Sequence, residues 1–261
     1  MLPPNEATRL ALEAAREVAV AGASLLEVDA AAEKAIRDYG GEPNFMLEPG
    51  YRHTTCANVN DVVVHGVPTD YVLQPGDLIS IDAGAIIKGW NGDSALTVVV
   101  PDPERPELVK RREELSYHTE QSMWHGIAAL ARATHLNEVG VAIENYIKKH
   151  TNYSIVQEYI GHGIGRAMHE DPPVFNYAVP RKGPEVKPGL VVAIEPIIAA
   201  KRNETVVDQE DGWTVRMADG CDSCQWEHSV AIHKDGIWVL TAADGGAAGL
   251  APFGIMPTPI A

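Results

Sequence analysis

Two stretches of the sequence share an unusual design, an apolar strand-like run that carries a single acidic residue. "QPGDLISIDAGA" begins at Gln74 and contains Asp82, and "KPGLVVAIEPII" begins at Lys187 and contains Glu195. In each stretch the acid stands seven positions after the proline. Burying a carboxylate is costly unless another group pairs with it. Two strands with the same acid at the same place therefore indicate a functional site.

The repetition extends to the segments that precede these strands. "SLLEVDAAAEKAIR" begins at Ser24 and "HLNEVGVAIENYIK" at His135, an offset of 111 residues that aligns Glu27 with Glu138. The two strands repeat at an offset of 113. Since this period is too long for a solenoid, we expect two related α+β halves around a pseudo-twofold axis. Equivalent strands would then meet near the axis, and their acids would converge there.

Periodicity and turn residues predict the secondary structure. Helices are predicted over 5–22, 25–39, 105–132 and 136–149. Strand-rich stretches are predicted over 54–65, 78–100, 154–160, 190–201, 205–217 and 225–240. We expect one domain over 1–242, with half-repeats at about 5–100 and 116–240, and a loose Gly/Pro/Ala-rich tail over 243–261.

Further ligand-type side chains accompany the two matched acids. The turn signals after Asp82 predict a hairpin that brings Asp93 on or near the opposite position. Such close acids cannot both stay ionised without a counter-charge, and a divalent cation supplies one. Glu227 lies in another apolar run, "QWEHSVAIH", and His162 lies between glycines in "GHGIG".

Each of these residues also has an ordinary structural explanation. Asp93 could be a turn acid, His162 a structural histidine, and Glu195 the partner of a basic residue. The joint pattern of four acids and one imidazole favours a metal site. This ligand set suits two ions of the Mn, Co, Fe or Zn type, held close together as in hydrolytic enzymes.

The composition argues against several classes of protein function. The formal net charge of −15 argues against a nucleic-acid partner. No apolar run approaches the ~18 residues that a membrane helix needs, and the N-terminus does not resemble a secretory signal, so we expect a cytoplasmic protein. Of the three cysteines, Cys221 and Cys224 form a "CDSC" pair. Without a second pair, local structure is favoured over zinc or redox chemistry.

At these residues the sequence resembles the methionine aminopeptidases of the type without a long N-terminal extension, which belong to the "pita-bread" metallopeptidases. The motifs "NVNDVVVHGVP", "SIDAG", "NGDSA", "GHGIGRAMHEDP", "AIEPI" and "QWEHS" carry the resemblance, which covers about residues 6–240. It implies an α+β, pseudo-twofold duplicated fold with antiparallel sheets covered by helices. It also implies removal of the N-terminal methionine from polypeptides with a small second residue.

The resemblance implies two divalent metal ions with a hydroxide between them. Asp93 and Glu227 would bridge the ions, Asp82 would complete one of them, and His162 and Glu195 would complete the other. The metal would be Co, Mn, Fe or Zn.

The resemblance also implies roles in catalysis. Glu195 would take a proton from the water and later protonate the leaving amine. His169 would help to stabilise the oxyanion, and His65 would position the scissile amide nitrogen. The free α-amine of the substrate would dock by Asp82, which confines cleavage to the first residue.

The resemblance also implies a pocket for the methionine side chain, formed by residues at the positions that line it in the family. They are Phe45, Tyr51, Cys56, His65, Met168, His169 and Trp213. Met168 departs from the family pattern, because an aromatic residue is usual at its position. Glu48 also departs from it, because an aromatic residue in this segment often lines the pocket. The family also suggests a monovalent cation held near Asn60, Val62 and Ser223.

The implied partners are the N-termini of nascent polypeptides, with at most transient ribosome contact, and the protein is expected to be a monomer. Two alternatives stay open. A proline-specific peptidase, such as prolidase or aminopeptidase P, would share the metal ligands but usually carries a large N-terminal domain. A non-catalytic pita-bread binding protein would tend to lose metal ligands, whereas this sequence holds all five.

Overall fold

The chain is described over residues 1–260 by a computed structural model. The helices are α1 (Leu2–Val18), α2 (Leu25–Asp38), α3 (Pro106–Leu130), α4 (Asn137–His150) and α5 (Ala247–Leu250). Strands of the first half are β1 (Glu42–Pro43), β2 (Thr55–Val59), β3 (Val62–Val64), β4 (Leu78–Ile87) and β5 (Trp90–Val99). Strands of the second half are β6 (Ser154–Ile155), β7 (Gly161–Gly163), β8 (Glu170–Val174), β9 (Val191–Ile194), β10 (Ile197–Ala199), β11 (Thr205–Val207), β12 (Val215–Met217), β13 (Ser223–Gln225), β14 (Glu227–His233) and β15 (Gly236–Val239).

The four predicted helices are confirmed, with ends displaced by a few residues, and every predicted strand-rich stretch contains a strand. Sequence reasoning missed β1, β7 and β8, which are short and rich in glycine or proline. Glycine in β7 reflects close packing: a Cβ at Gly163 would lie 2.3 Å from the carbonyl oxygen of Asp171. Every helix among residues 1–260 is too short or too polar to span a lipid bilayer.

The predicted duplication recurs in the hydrogen bonding. The Ser24 amide donates to Glu27 Oε2 (2.7 Å), and at the matched position the His135 amide donates to Glu138 Oε1 (2.9 Å). Ser24 also forms an isolated antiparallel β-bridge with Val72, and His135 forms the equivalent β-bridge with Glu185. The two halves therefore tie the start of the second helix to the segment before the main strand in the same way.

One antiparallel sheet joins the halves. Its strands run in the order β1-β4-β5-β14-β9-β7-β8, so that β5 of the first half pairs with β14 of the second. One hydrophobic core lies under α1 and α2, with residues such as Leu12, Val28 and Ile81. A second core lies under α3 and α4, with residues such as Ile127 and Ile143. The helices thus cover the sheet and leave the β5–β14 seam between the two cores.

The expectation of a loose tail after Ala242 is wrong. Leu250 is fully buried, and the Thr258 amide donates to the Ile237 carbonyl at 3.0 Å. The glycines of this segment allow close packing against tryptophans: a Cβ at Gly249 would lie 2.4 Å from the Trp124 ring. Glycine richness here reflects close contact rather than freedom, a distinction that composition cannot make.

Candidate metal centre

The strand register brings three carboxylates to one face of the sheet. β5 lies between β4 and β14, and Ala95 on β5 is opposite both Asp82 and Glu227. Asp93 lies two residues before Ala95, so its side chain points to the same face. Asp93 is opposite Gly84 rather than Asp82, which makes the two acids diagonal neighbours.

The second half adds a fourth carboxylate to the same face. We call the five residues that meet there the floor of the site: Asp82, Asp93, His162, Glu195 and Glu227. His228 on β14 pairs with Ile194 on β9, and the next position along places Glu195 beside Glu227. Oxygen atoms of Glu195 and Glu227 lie within 4.8 Å of each other and of a ring nitrogen of His162. The matched acids Asp82 and Glu195 therefore reach one site from the two repeats.

His162 presents one ring nitrogen to these acids. Its Nδ1 lies 2.9 Å from the carbonyl oxygen of Gly163, so Nδ1 carries the proton and donates it to this bond. The unprotonated Nε2 then faces Asp93 Oδ2 at 3.7 Å and Glu195 Oε1 at 3.5 Å. Three groups that accept hydrogen bonds thus face one another, an arrangement that a cation between them would stabilise.

The electrostatics of the floor show the cost of this crowding. Burial raises the pKa of Asp82 to about 7. Burial and the charges of neighbouring acids also raise the pKa values of Asp93, Glu195 and Glu227 well above their ordinary range. Burial lowers the pKa of His162 to about 4. Without a cation, the site therefore favours neutral groups throughout.

The donor set fits divalent metal ions. Asp82 Oδ1 and Asp93 Oδ1 are buried and have no hydrogen-bond partner within the described part of the chain. Asp82, Asp93 and Glu227 form one group of converging ligand atoms, and His162, Glu195 and Glu227 form another. Oxygen atoms with one imidazole nitrogen match the preference of hard to borderline metals. The two groups share Glu227, as two adjacent ions would require.

Above the floor lies a cavity of about 400 Å³. All residues predicted for the methionine pocket line it: Phe45, Tyr51, Cys56, His65, Met168, His169 and Trp213. Phe45, Tyr51 and Cys56 form a buried apolar cluster against which Met168 and Trp213 pack. The structure therefore joins a charged floor to an apolar wall, as a site that holds a nonpolar side chain beside a reacting bond requires.

The two predicted catalytic histidines lie in this cavity and are exposed. The ring of His169 lies edge-on to that of His162, with centroids 4.4 Å apart. His65 follows β3 with a left-handed φ of 56° and packs edge-on to the Tyr159 ring at 5.8 Å. Partial desolvation of the ring within the cavity and the charge of the nearby His169 lower the pKa of His65. A neutral imidazole at His65 is suited to hydrogen bonding.

Sequence reasoning missed several residues of the cavity, among them Gln225, Tyr159 and Glu158. The Gln225 side-chain nitrogen lies 3.5 Å from Glu195 Oε2. Gln225 stands two positions before Glu227 in the predicted strand-rich stretch 225–240, where alternation would place both on one face. That spacing was a usable signal.

Two other predicted features have a place in the fold. The Ser223 amide donates to the Asn60 carbonyl oxygen at 2.8 Å, so two of the residues named for a monovalent cation are in contact, and the cation itself stays a prediction. Cys221 and Cys224 are free and buried. Burial raises the pKa of each thiol to about 11, which keeps both protonated at neutral pH.

A buried acid on α2 holds the pocket wall in position. Asp29 Oδ1 accepts hydrogen bonds from the Thr54 amide (2.9 Å) and the Thr55 amide (2.8 Å). This segment lies between the pocket residues Tyr51 and Cys56. Asp29 therefore links the helix layer to the wall of the cavity.

Asp29→Ala is expected to lower the free energy of unfolding by about 3 kcal/mol, because buried amide donors lose a charged acceptor. Urea unfolding measures the change. Glu33→Ala, at a half-buried, hydrogen-bonded position one turn later on α2, is the control and should cost less than about 1 kcal/mol. Equal losses in the two variants would contradict the assignment.

Comparison with known proteins agrees with this geometry. The profile "Metallopeptidase family M24" matches residues 4–234. The chain belongs to this family of metallopeptidases, and its fold is the duplicated pita-bread fold.

Relatives and solved structures within the family are more specific. "Methionine aminopeptidase 1" of Mycobacterium tuberculosis is 44% identical over 237 residues, which are 88% of this chain and 87% of the relative. "Methionine aminopeptidase 1" of Bacillus subtilis is 39% identical over 220 residues, 84% of this chain and 86% of the relative. The crystal structure of methionine aminopeptidase from Thermotoga maritima matches with a TM-score of 0.86 and 31% identity, over 92% of this chain and 94% of that one.

Prolidase from Pyrococcus furiosus shares the fold at lower similarity. It matches 92% of this chain with a TM-score of 0.70 and 23% identity, and only 62% of the prolidase chain is covered. The match supports a common architecture alone.

Proposed function

We propose that the chain is a metal-dependent methionyl aminopeptidase that removes the N-terminal methionine from polypeptides with a small second residue. One observation carries this proposal: five converging ligand side chains form the floor of a cavity whose wall is apolar and aromatic. The relatives named methionine aminopeptidase support the same substrate. An unbranched thioether side chain suits a soft, apolar wall.

The metal ions would be held by the five floor residues. Asp82, Asp93 and Glu227 would hold one ion. Glu195 and His162 would hold the other, together with Asp93 and Glu227, which both ions would share. When bound, the ions supply Lewis acidity and the positive charge that lets four carboxylates ionise together. Co, Mn, Fe or Zn fits this donor set.

Proton transfer would be carried by Glu195. Its carboxylate lies at the edge of the cavity floor, beside His162 and the Gln225 amide. Bound cations would keep this carboxylate ionised, which is the state in which a general base can accept a proton. Glu195 would accept the proton of the attacking water and deliver it to the leaving amine.

The two histidines would orient the peptide bond. His169 lies next to His162, where it would donate a hydrogen bond to the developing oxyanion. His65, at the end of β3, would contact the scissile amide nitrogen. The wall formed by Phe45, Tyr51 and Trp213 would hold the methionine side chain and thereby fix the first residue, while Asp82 would receive the α-amine.

The experiment is a peptide panel on the chelated protein with stepwise metal readdition. Met-Ala-Ser and an Xaa-Pro peptide are assayed with Mn, Fe, Co and Zn in turn. We expect metal-dependent release of methionine from Met-Ala-Ser and little cleavage of the Xaa-Pro peptide. Cleavage of the Xaa-Pro peptide alone would indicate a proline-specific peptidase. Absence of both activities, with no metal found by elemental analysis, would indicate a binding protein.

The setting of this activity follows from its substrate. Newly synthesised chains carry the initiator methionine, so nascent polypeptides are the proposed partners and the cytoplasm the proposed location. An acidic chain with a net charge of −15 suits at most transient contact with the RNA of a ribosome. Size-exclusion chromatography tests the proposed monomer.

A further inference from the structure

Two acidic residues at the cavity come from corresponding segments of the two halves. Glu48 and Glu158 both line the cavity and are exposed. Glu48 follows β1, which pairs with β4, and Glu158 follows β6, which pairs with β10. The two carboxylates thus come from corresponding segments of the halves, and together we call them the rim acids.

The rim acids have no basic partner. Neither forms an ion pair within residues 1–260, and the lining of the cavity contains neither lysine nor arginine. Glu158 accepts a hydrogen bond from the Thr205 hydroxyl, which leaves its charge in place. The opening of the site therefore carries uncompensated negative charge.

We propose that Glu48 and Glu158 select for peptides with lysine or arginine just beyond the second residue and against peptides with acids there. This inference rests on the proposed aminopeptidase function. An extended peptide advances about 3.3 Å per residue. When the first residue fills the pocket, the third and fourth residues would lie roughly 7–10 Å farther along an extended chain, toward the exposed part of the cavity lining, to which Glu48 and Glu158 belong.

The expected effect is moderate because the rim acids are exposed. A solvent-exposed charge pair changes an equilibrium by about 1.5- to 5-fold. The two carboxylates attract a peptide with lysine and repel a peptide with glutamate, and the two effects add in the comparison. We therefore expect kcat/KM for the lysine peptide to exceed that for the glutamate peptide by about 10-fold. At 0.1 M salt the Debye length is about 10 Å, and the preference should therefore shrink as salt increases.

The test compares Met-Ala-Lys-Ser with Met-Ala-Glu-Ser, with Met-Ala-Ser-Ser as the neutral reference. The wild-type protein, the double variant Glu48→Gln/Glu158→Gln and the control Glu17→Gln are loaded with the same metal. Glu17 is exposed on α1, outside the cavity lining, and its replacement removes one charge from the protein. Kcat/KM is measured for each peptide at about 20 and 300 mM salt.

We expect the Lys-to-Glu ratio of kcat/KM to be near 10 for wild type and for Glu17→Gln, and to fall below about 3 in the double variant. Added salt should lower the wild-type ratio and leave that of the double variant nearly unchanged. A wild-type ratio near 1, or a ratio that the double replacement does not change, overturns the inference. Under either of these two contrary results the neutral peptide is still cleaved. Failure of the proposed function would instead leave all three peptides intact.

Discussion

Asp93→Asn is expected to abolish metal-dependent activity and, in the metal-free protein, to increase stability at neutral pH. Asp93 is almost fully buried, and its Oδ1 has no partner among residues 1–260. Burial and the charges of Asp82 and Glu195 raise its pKa well above the ordinary range. In the absence of a cation the folded protein must keep this group protonated at a pH where the unfolded chain ionises it, and the neutral Asn side chain removes that cost.

The pH dependence of the chelated wild-type protein has the same origin. A carboxyl group whose pKa is higher in the folded than in the unfolded chain destabilises the fold when it ionises. Metal-free stability should therefore fall as pH rises from about 4, the pKa of an unfolded carboxyl group, through about 7, the raised pKa of Asp82. Asp93→Asn should weaken this decline.

Thermal unfolding at pH 5 and 7.5, with chelator and then with Mn²⁺, measures both effects. Wild type should gain about 2.7 kcal/mol when metal is present at 100 times its dissociation constant. The variant should gain less than about 0.5 kcal/mol, because loss of a ligand weakens binding by at least about 100-fold.

Asp102→Asn is the matched control. Asp102 is another buried aspartate, but it accepts hydrogen bonds from Arg105 and the Glu104 amide. Its replacement should lower stability and leave the response to metal intact. A metal-free Asp93→Asn protein less stable than wild type at pH 7.5 would refute the account of the floor.

Glu195→Gln is expected to lower kcat by about 10²- to 10⁴-fold with little change in KM, because an amide cannot accept the proton that a general base must remove. The isosteric side chain keeps an oxygen toward the floor, so metal should still bind when supplied in excess. Steady-state kinetics on Met-Ala-Ser, with elemental analysis of the same sample, separates loss of the base from loss of metal.

The pH profile adds a second readout for Glu195. The acidic limb of kcat/KM that reports the general base should disappear in the variant. Glu204→Gln, an exposed acid outside the cavity lining, should retain wild-type kinetics. Full turnover by Glu195→Gln with metal bound would exclude Glu195 as the base.

Local pattern was enough to predict much of the fold. The capping box at Ser24 and Glu27 is formed, because these interactions span only three residues. The hairpin after Asp82 is formed, with Lys88 and Gly89 both at positive φ between β4 and β5. Short strands such as β7 and β8 escaped prediction, since tertiary pairing rather than local propensity makes them strands.

The tail shows the limit of compositional reasoning. Its glycines resemble those of a flexible linker, yet at Gly245 and Gly249 a Cβ would clash with Trp238 and Trp124. Which neighbour a glycine faces depends on contacts distant in sequence, and no periodicity encodes them.

The sequence by itself determined that the chain is duplicated and that matched acids occupy matched strands, because a repeat and a misplaced charge are both visible in one dimension. Only the tertiary structure decided that Asp93 stands diagonal to Asp82, that His162 turns its Nε2 toward the floor acids, and that the rim acids line the same cavity as the floor acids. The reason is physical: register, side-chain direction and burial are set by packing, and much of that packing joins residues from different halves of the sequence.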